Sequence, residues 1–306
     1  MMKRLLLLLG LIMGTFQWLT AQQLTNTNLY VFDLEAASDS NFILSNPAFL
    51  SNFNPTGYNN QPHFIDDNLL YLTVQYPMDT TQTDIYALDL SRKTKTRVTA
   101  TSESEYSPAL VPFSNAEGGA FFSAVRVEND LNRSQRLWQF PLNHSTNGRP
   151  ILPNVTNIGY HCWLNPREVA LFLVGRNDDP HQLALANVQQ EDITTITGNI
   201  GRCIHRMPRG GVAFIQKLSE RSWLIKEISR NNLRPRLITA ALQGSEDFVI
   251  LPDGTFIAGQ GNRLYKFKKS IDVSWVQIAE LSSYGINNIT RLALNQSGTK
   301  LVIVSK

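Results

Sequence analysis

The sequence predicts an all-β chain folded as a six-bladed β-propeller of four-stranded antiparallel blades, and three observations carry that prediction. One strand motif recurs six times, turn residues recur every 42 to 46 residues, and the repeat is interrupted halfway at both ends of the chain. Self-similarity at this spacing is the signature of blades, because a single four-stranded unit cannot bury its own faces and must stack on copies of itself.

The recurring motif is plainest in Ile85-Tyr86-Ala87-Leu88-Asp89-Leu90 beside Leu29-Tyr30-Val31-Phe32-Asp33-Leu34: an aliphatic residue, Tyr, two apolar residues, then Asp-Leu. Looser copies begin at Arg136, Gln182, Trp223 and Arg263. Each copy after the first follows a more continuously apolar run, namely Leu69–Val74, Ala120–Val125, Val169–Val174, Val212–Gln216 and Thr255–Ala258. Such runs suit strands covered on both faces. Asp66-Asp67-Asn68, Pro252-Asp253-Gly254 and Asn295-Gln296-Ser297-Gly298 supply turn chemistry between paired strands. A fourth segment, such as Thr96–Thr99 or Trp275–Ile278, ends the unit. The spacing is 46 from Pro62 to Pro108, 42 from Pro166 to Pro208 and 44 from Gly254 to Gly298.

At the head of the chain, Lys3-Arg4 precede the apolar run Leu5–Phe16, and Leu19-Thr20-Ala21 offer a small residue for cleavage. That pattern predicts a signal peptide over residues 1–21, with residues 22–306 as one propeller domain. The run is shorter than the roughly 20 residues of a bilayer-spanning helix, and no second long apolar segment follows, so no membrane span is expected after cleavage. The domain then opens on a third-strand motif, Leu29–Leu34, and a fourth strand near Asn41–Ser45. Its missing first two strands are expected from Ile289–Leu294 and Lys300–Val304, which would close the last blade and leave no open edge at the ring junction. A β-sandwich gives no reason for this interruption of the repeat.

The composition is that of a soluble protein, 42% hydrophobic and 17% charged. The net charge is +3 and the basic residues are scattered, which excludes the electrostatic footprint of a nucleic-acid binder. Cys162 and Cys203 are too few for a disulfide scaffold; one bridge or two separate thiols both fit.

The Asp84–Leu90 stretch with Thr96–Thr99 and Glu105-Tyr106-Ser107-Pro108, and likewise Leu251–Ile257 and Leu294–Leu301, resemble the WD-like repeat of TolB-type propellers of bacterial envelopes. More narrowly, Gln135-Arg136-Leu137-Trp138, Gly159-Tyr160-His161, Gly201-Arg202 and Ser245-Glu246-Asp247 resemble an exported bacterial branch of these proteins. The resemblance implies a periplasmic or secreted propeller whose partner is an envelope or secreted protein or a small ligand. It implies no activity. TolB carries a further N-terminal domain for which this chain leaves no room, so its role in the Tol system does not follow from the fold.

First strands of propeller blades line the central channel, so polar residues early in each repeat converge. The ligand-binding candidates are Glu105 and Tyr106 in the second complete blade, His161 in the third, Arg202 and His205 in the fourth, Glu246 and Asp247 in the fifth, and Arg291 in the sixth. His63, Ser107, Tyr160, Cys203 and Thr290 occupy comparable positions. Arg202 and Arg291 suit a carboxylate or phosphate, while Glu105, Glu246 or Asp247 suit a cation. His161 with His205, joined by His63 or Cys203, offers imidazole and thiolate to a metal; the competing assignment is hydrogen-bonding channel histidines and no cofactor. No G-x-S-x-G, H-E-x-x-H or phosphate-cradling Gly-rich loop occurs, and no catalytic residue is assigned. The leading expectation is a non-enzymatic binding scaffold. The rival is a propeller-type hydrolase or lyase, with Glu105 and Glu246 as one possible acid and base pair.

Overall fold

The computed structural model describes residues 24–112 and 119–306; the expected signal peptide lies outside them. Strands β1 (Asn28–Ala36) and β2 (Phe42–Phe49) come first, and β3 (Tyr58–Phe64), β4 (Leu69–Gln75), β5 (Asp84–Asp89) and β6 (Thr94–Arg97) form the first complete blade. The second blade holds β7 (Ser104–Leu110), β8 (Phe121–Val127), β9 (Gln135–Pro141) and β10 (Arg149–Pro150). The third holds β11 (Ile158–Trp163), β12 (Glu168–Leu173), β13 (Gln182–Asn187) and β14 (Asp192–Gly198). The fourth holds β15 (Ile200–Arg206), β16 (Val212–Lys217), β17 (Trp223–Ser229) and β18 (Asn232–Ala240). The fifth holds β19 (Phe248–Ile250), β20 (Phe256–Gln260), β21 (Arg263–Phe267) and β22 (Val276–Glu280). Finally β23 (Ile289–Leu294) and β24 (Lys300–Ser305) complete a sheet ordered β2-β1-β24-β23.

The head and tail of the chain therefore share one blade, as the interrupted repeat predicts. β1 and β24 pair antiparallel from Asn28 opposite Ser305 to Asp33 opposite Lys300. Lys300 Nζ donates to Asp33 Oδ1 at 2.8 Å. The turns form as their residue types require. Asp66 Oδ1 accepts from the N–H groups of Asn68 and Leu69, and Asn295 Oδ1 accepts from those of Thr299 and Lys300. Gly298, with φ of 76°, supplies the left-handed residue that ends the latter turn.

The core is a set of apolar slabs between neighbouring blades. Leu29, Val302 and Val304 of the closing blade meet Leu70, Leu72 and Val74 of the first. On its other face, Phe32, Leu301 and Ile303 meet Val249, Ile257 and Leu264 of the fifth. Four further clusters join first to second, second to third, third to fourth and fourth to fifth blades, so all six blade interfaces are filled. This is why second strands read as continuous apolar runs: each faces a slab on both sides. Outer strands face water, and Thr94–Arg97 is exposed throughout.

Cys162 on β11 and Cys203 on β15 stand in different blades, and both are free. Burial pushes the Cys162 thiol up to about 12, so it stays protonated at neutral pH. Among the described residues, no helix is long and apolar enough to cross a membrane.

Phe32 is fully buried in the slab that fastens the closing blade to the fifth. Its replacement by Ala is expected to cost about 3–5 kcal/mol, measured by urea unfolding. Deleting residues 300–306, which removes β24, is expected to abolish the cooperative transition altogether; a cooperative transition in that variant would contradict the closure.

Candidate functional site

Each first strand lies against the next around the ring, from β3 through β7, β11, β15, β19 and β23 back to β3. Five of these six strands carry a register shift, of one extra residue between Asn60 and His63, Tyr106 and Ala109, Ile158 and Tyr160, and Ile289 and Arg291, and of two between Ile200 and Ile204. An extra residue opposite one partner residue bends the strand and shifts the alternation of its side chains. In β3 and β7 the bulge places Gln61 and Ser107 at φ of 54° and 53°. Gln61 Oε1 accepts from Ser107 N–H at 2.9 Å and Thr73 Oγ1 at 2.8 Å, locking the first two blades together beside the channel.

At the end of the channel where these strands begin lies a cavity of about 600 Å³, walled by Tyr58, Asn60, Tyr160, Arg202, Glu246, Asp247 and Arg291 among others. The walls come from five blades. Arg291 Nη2 donates to the Tyr160 hydroxyl at 2.8 Å, its guanidinium stacks 4.9 Å from the Tyr160 ring centre, and Nη1 lies 3.7 Å from Asp247 Oδ2. Asp247 Oδ1 accepts from Leu292 N–H at 3.0 Å. Arg202 Nη2 donates to the Thr290 carbonyl at 2.7 Å, and Nη1 lies 3.5 Å from Glu246 Oε2. Lys217 Nζ reaches Glu246 Oε1 at 2.6 Å.

Environment separates the two adjacent carboxylates. Burial raises the Asp247 carboxyl above its ordinary value despite the nearby Arg291 and Arg202. Burial also acts against ionised Glu246, but the Lys217 hydrogen bond and the Arg202 charge outweigh it and hold this carboxyl below its ordinary value. Burial keeps the Tyr58 phenol protonated far above neutrality.

Four of the eight sequence candidates, Arg202, Glu246, Asp247 and Arg291, meet in this cavity together with Tyr160. The other four are placed elsewhere. Glu105 is fully buried inside the second blade, where Oε1 accepts from Arg126 Nε at 2.9 Å and from Thr101 Oγ1 at 2.6 Å. Arg126 in turn stacks 3.9 Å over Trp138, so this pair belongs to the blade and not to the channel mouth. The Tyr106 side chain packs on the slab between second and third blades. His161 bonds Ser123 Oγ through Nε2 at 2.7 Å, and His205 lies 6.2 Å from the Phe248 ring. Neither histidine lines the cavity, and Glu105, far from Glu246, does not form the acid and base pair considered from the sequence.

Burial lowers His63 to about 4 and His161 to about 3, with His205 adding to the cost of charging His63, and His63 to that of His161. No group of three His, Cys, Asp or Glu side chains among the described residues is placed to hold a metal ion. The cavity residues that the sequence did not single out include Tyr58 and Asn60, which precede His63 on the same strand, and Thr27 and Asn288. Lys217 was also missed; it sits at the end of a second strand, and its position in the repeat gives no sign that it reaches Glu246.

No protein-family model matches the sequence, and no curated protein matches it. Among solved structures, TolB from Agrobacterium tumefaciens superposes with a TM-score of 0.62 at 10% identity, over 92% of this chain and 98% of that one. The chain has a TolB-like propeller fold. A gluconolactonase from Xanthomonas campestris superposes with a TM-score of 0.57 at 7% identity, over 81% of this chain and 86% of that one. An oligogalacturonate lyase in complex with manganese gives 0.53 at 13% identity, over 87% and 82%. At such identities the TolB-like likeness concerns the ring and not its chemistry.

Two outcomes follow for stability. The ordinary histidine value of 6.5 exceeds those of His63 and His161 in the fold, so below pH 6.5 the unfolded chain binds protons that the folded one refuses. Stability is therefore expected to fall from pH 6.5 toward 4, by at most about 1.4 kcal/mol per pH unit for each histidine. Asp247 and Glu105, both raised, act with the opposite sign as they take up protons. Urea titrations should show a shallower loss between pH 6.5 and 5 in His63→Gln with His161→Gln. Separately, Glu105→Ala leaves the buried Arg126 with only the Glu103 carboxylate, 3.4 Å away, and is expected to cost about 1–3 kcal/mol at pH 7, measured by urea unfolding.

Proposed function

We propose that the protein is an exported, periplasmic or secreted binding scaffold, non-enzymatic, that takes a small ligand into the cavity at the mouth of its channel. The observation that carries this reading is the cavity itself, whose volume of about 600 Å³ lies within the range of roughly 300–1,000 Å³ typical of small-ligand sites. Its walls converge from five blades held in place by the apolar slabs, which is the preorganisation a binding site needs. Export is supported by the leader pattern in residues 1–21 and by the likeness to TolB.

A second reading, a propeller-type hydrolase or lyase, is favoured by the buried, raised Asp247 carboxyl beside Arg291, the environment of a general acid. Turnover of lactones and galacturonate oligomers, chosen from the names of the structural neighbours, tests it; activity lost in Asp247→Asn would establish it.

Protein purified from its native envelope fraction and then denatured is expected to release a low-mass compound in near-stoichiometric amount, identified by mass spectrometry. Asn288→Trp, which places an indole at the cavity wall, is expected to release none. If the native protein releases nothing, and no compound in a metabolite library raises its melting temperature, the binding role is refuted.

A further inference from the structure

Hydrogen-bonding capacity in the cavity is unbalanced. The carboxylates already face cations and backbone N–H groups. Glu246 Oε1 is taken by Lys217 Nζ and by the Arg202 N–H, and Oε2 faces Arg202 Nη1. Asp247 Oδ1 is taken by the Leu292 N–H, and Oδ2 faces Arg291 Nη1. The Tyr160 hydroxyl accepts from Arg291 Nη2, and the Thr290 carbonyl from Arg202 Nη2.

The donors are not spent. Arg202 Nε is buried and has no hydrogen-bond partner, although the same guanidinium uses both of its other nitrogens. A buried, charged N–H left without an acceptor is costly. Glu105 Oε2, Ser107 Oγ, His161 Nδ1 and Trp223 Nε1 are also buried without partners, but among these residues only Arg202 lines the cavity. The charges lean the same way. Arg202, Arg291 and Lys217 oppose only Glu246 and Asp247, so the cluster carries a surplus positive charge. A divalent cation would have to displace Lys217 and both arginines from carboxylates they already neutralise.

The geometry points to an oxyanion: the cavity takes a small organic anion, with a carboxylate or phosphate head received by Arg202 Nε and by the Arg291 guanidinium. This rests on the cavity being a small-ligand site and adds the charge and head group of the ligand. A guanidinium presents parallel N–H donors that match two oxygens of such a head, which an ammonium cannot reproduce.

Three probes that share one sugar body separate the possibilities: D-glucose, D-glucuronate and D-glucose 6-phosphate, titrated calorimetrically into the full chain at pH 7 and low salt. Glucuronate or the phosphate ester is expected to bind saturably and at least about tenfold more tightly than glucose, as a charge-assisted hydrogen bond implies. Whichever anion binds identifies the head group. Arg202→Met is expected to weaken that anion by about tenfold or more, and Arg202→Lys, which keeps the charge but lacks the Nε–H, to restore only part of the loss. Should Arg202→Met fail to fold, Arg202→Lys carries the comparison. Equal binding of all three probes, binding of none, or anion affinity unchanged in the Arg202 variants would overturn the assignment. So would saturable binding of MnCl₂ that Arg202→Met leaves intact. An uncharged compound released from the native protein would remove the anion assignment and leave the binding role standing.

Discussion

Six backbone pairs between β1 and β24, from Asn28 opposite Ser305 to Asp33 opposite Lys300, hold together two strands from opposite ends of the chain. Every other feature depends on them. Without that ladder the closing blade has two half-sheets, the slabs on either side of it lose a wall, and the first strands no longer surround a channel. Closure costs chain entropy, because its contacts are the most distant in sequence. The return is large: the closing blade buries apolar side chains on both faces, Leu29 and Val302 toward the first blade and Phe32 and Leu301 toward the fifth.

Closure also creates the site. Tyr58 and Asn60, Tyr160, Arg202, Asp247 and Arg291 are carried by five different blades and meet only because the ring forces their strands together. Bulges in five of the six inner strands then redirect the side chains. Charged groups elsewhere follow a different logic. Glu105 with Arg126 at 2.9 Å, and Lys266 with Asp272 at 2.7 Å, are ion pairs within a blade. In the cavity Arg202 Nε keeps an unanswered N–H, as Glu105 Oε2 lacks a hydrogen-bond partner within its blade.

The ring and its closure were legible in the residues. The Leu29–Leu34 and Ile85–Leu90 motifs became β1 and β5, both third strands, and Ile289–Leu294 became β23 with those bounds. Apolar runs marked the second strands because burial on both faces removes polar residues from most positions. The site was legible in part. Arg202, Glu246, Asp247 and Arg291 were recognisable from their places at blade starts, yet the same rule also drew in Glu105, Tyr106, His161 and His205, which do not line the cavity.

The difference has a physical origin. Strand order, blade count and closure arise from local periodicity and turn chemistry, which repeat along the chain and can be read wherever they recur. The direction of an inner-strand side chain depends on its parity, and one extra residue in a bulge reverses that parity without altering composition or hydrophobic pattern. The meeting of Lys217 with Glu246, or of Arg291 with Tyr160, depends further on how far adjacent blades rotate about the channel. Those relations exist only between segments 29 and 131 residues apart, and folding alone brings them within hydrogen-bonding distance.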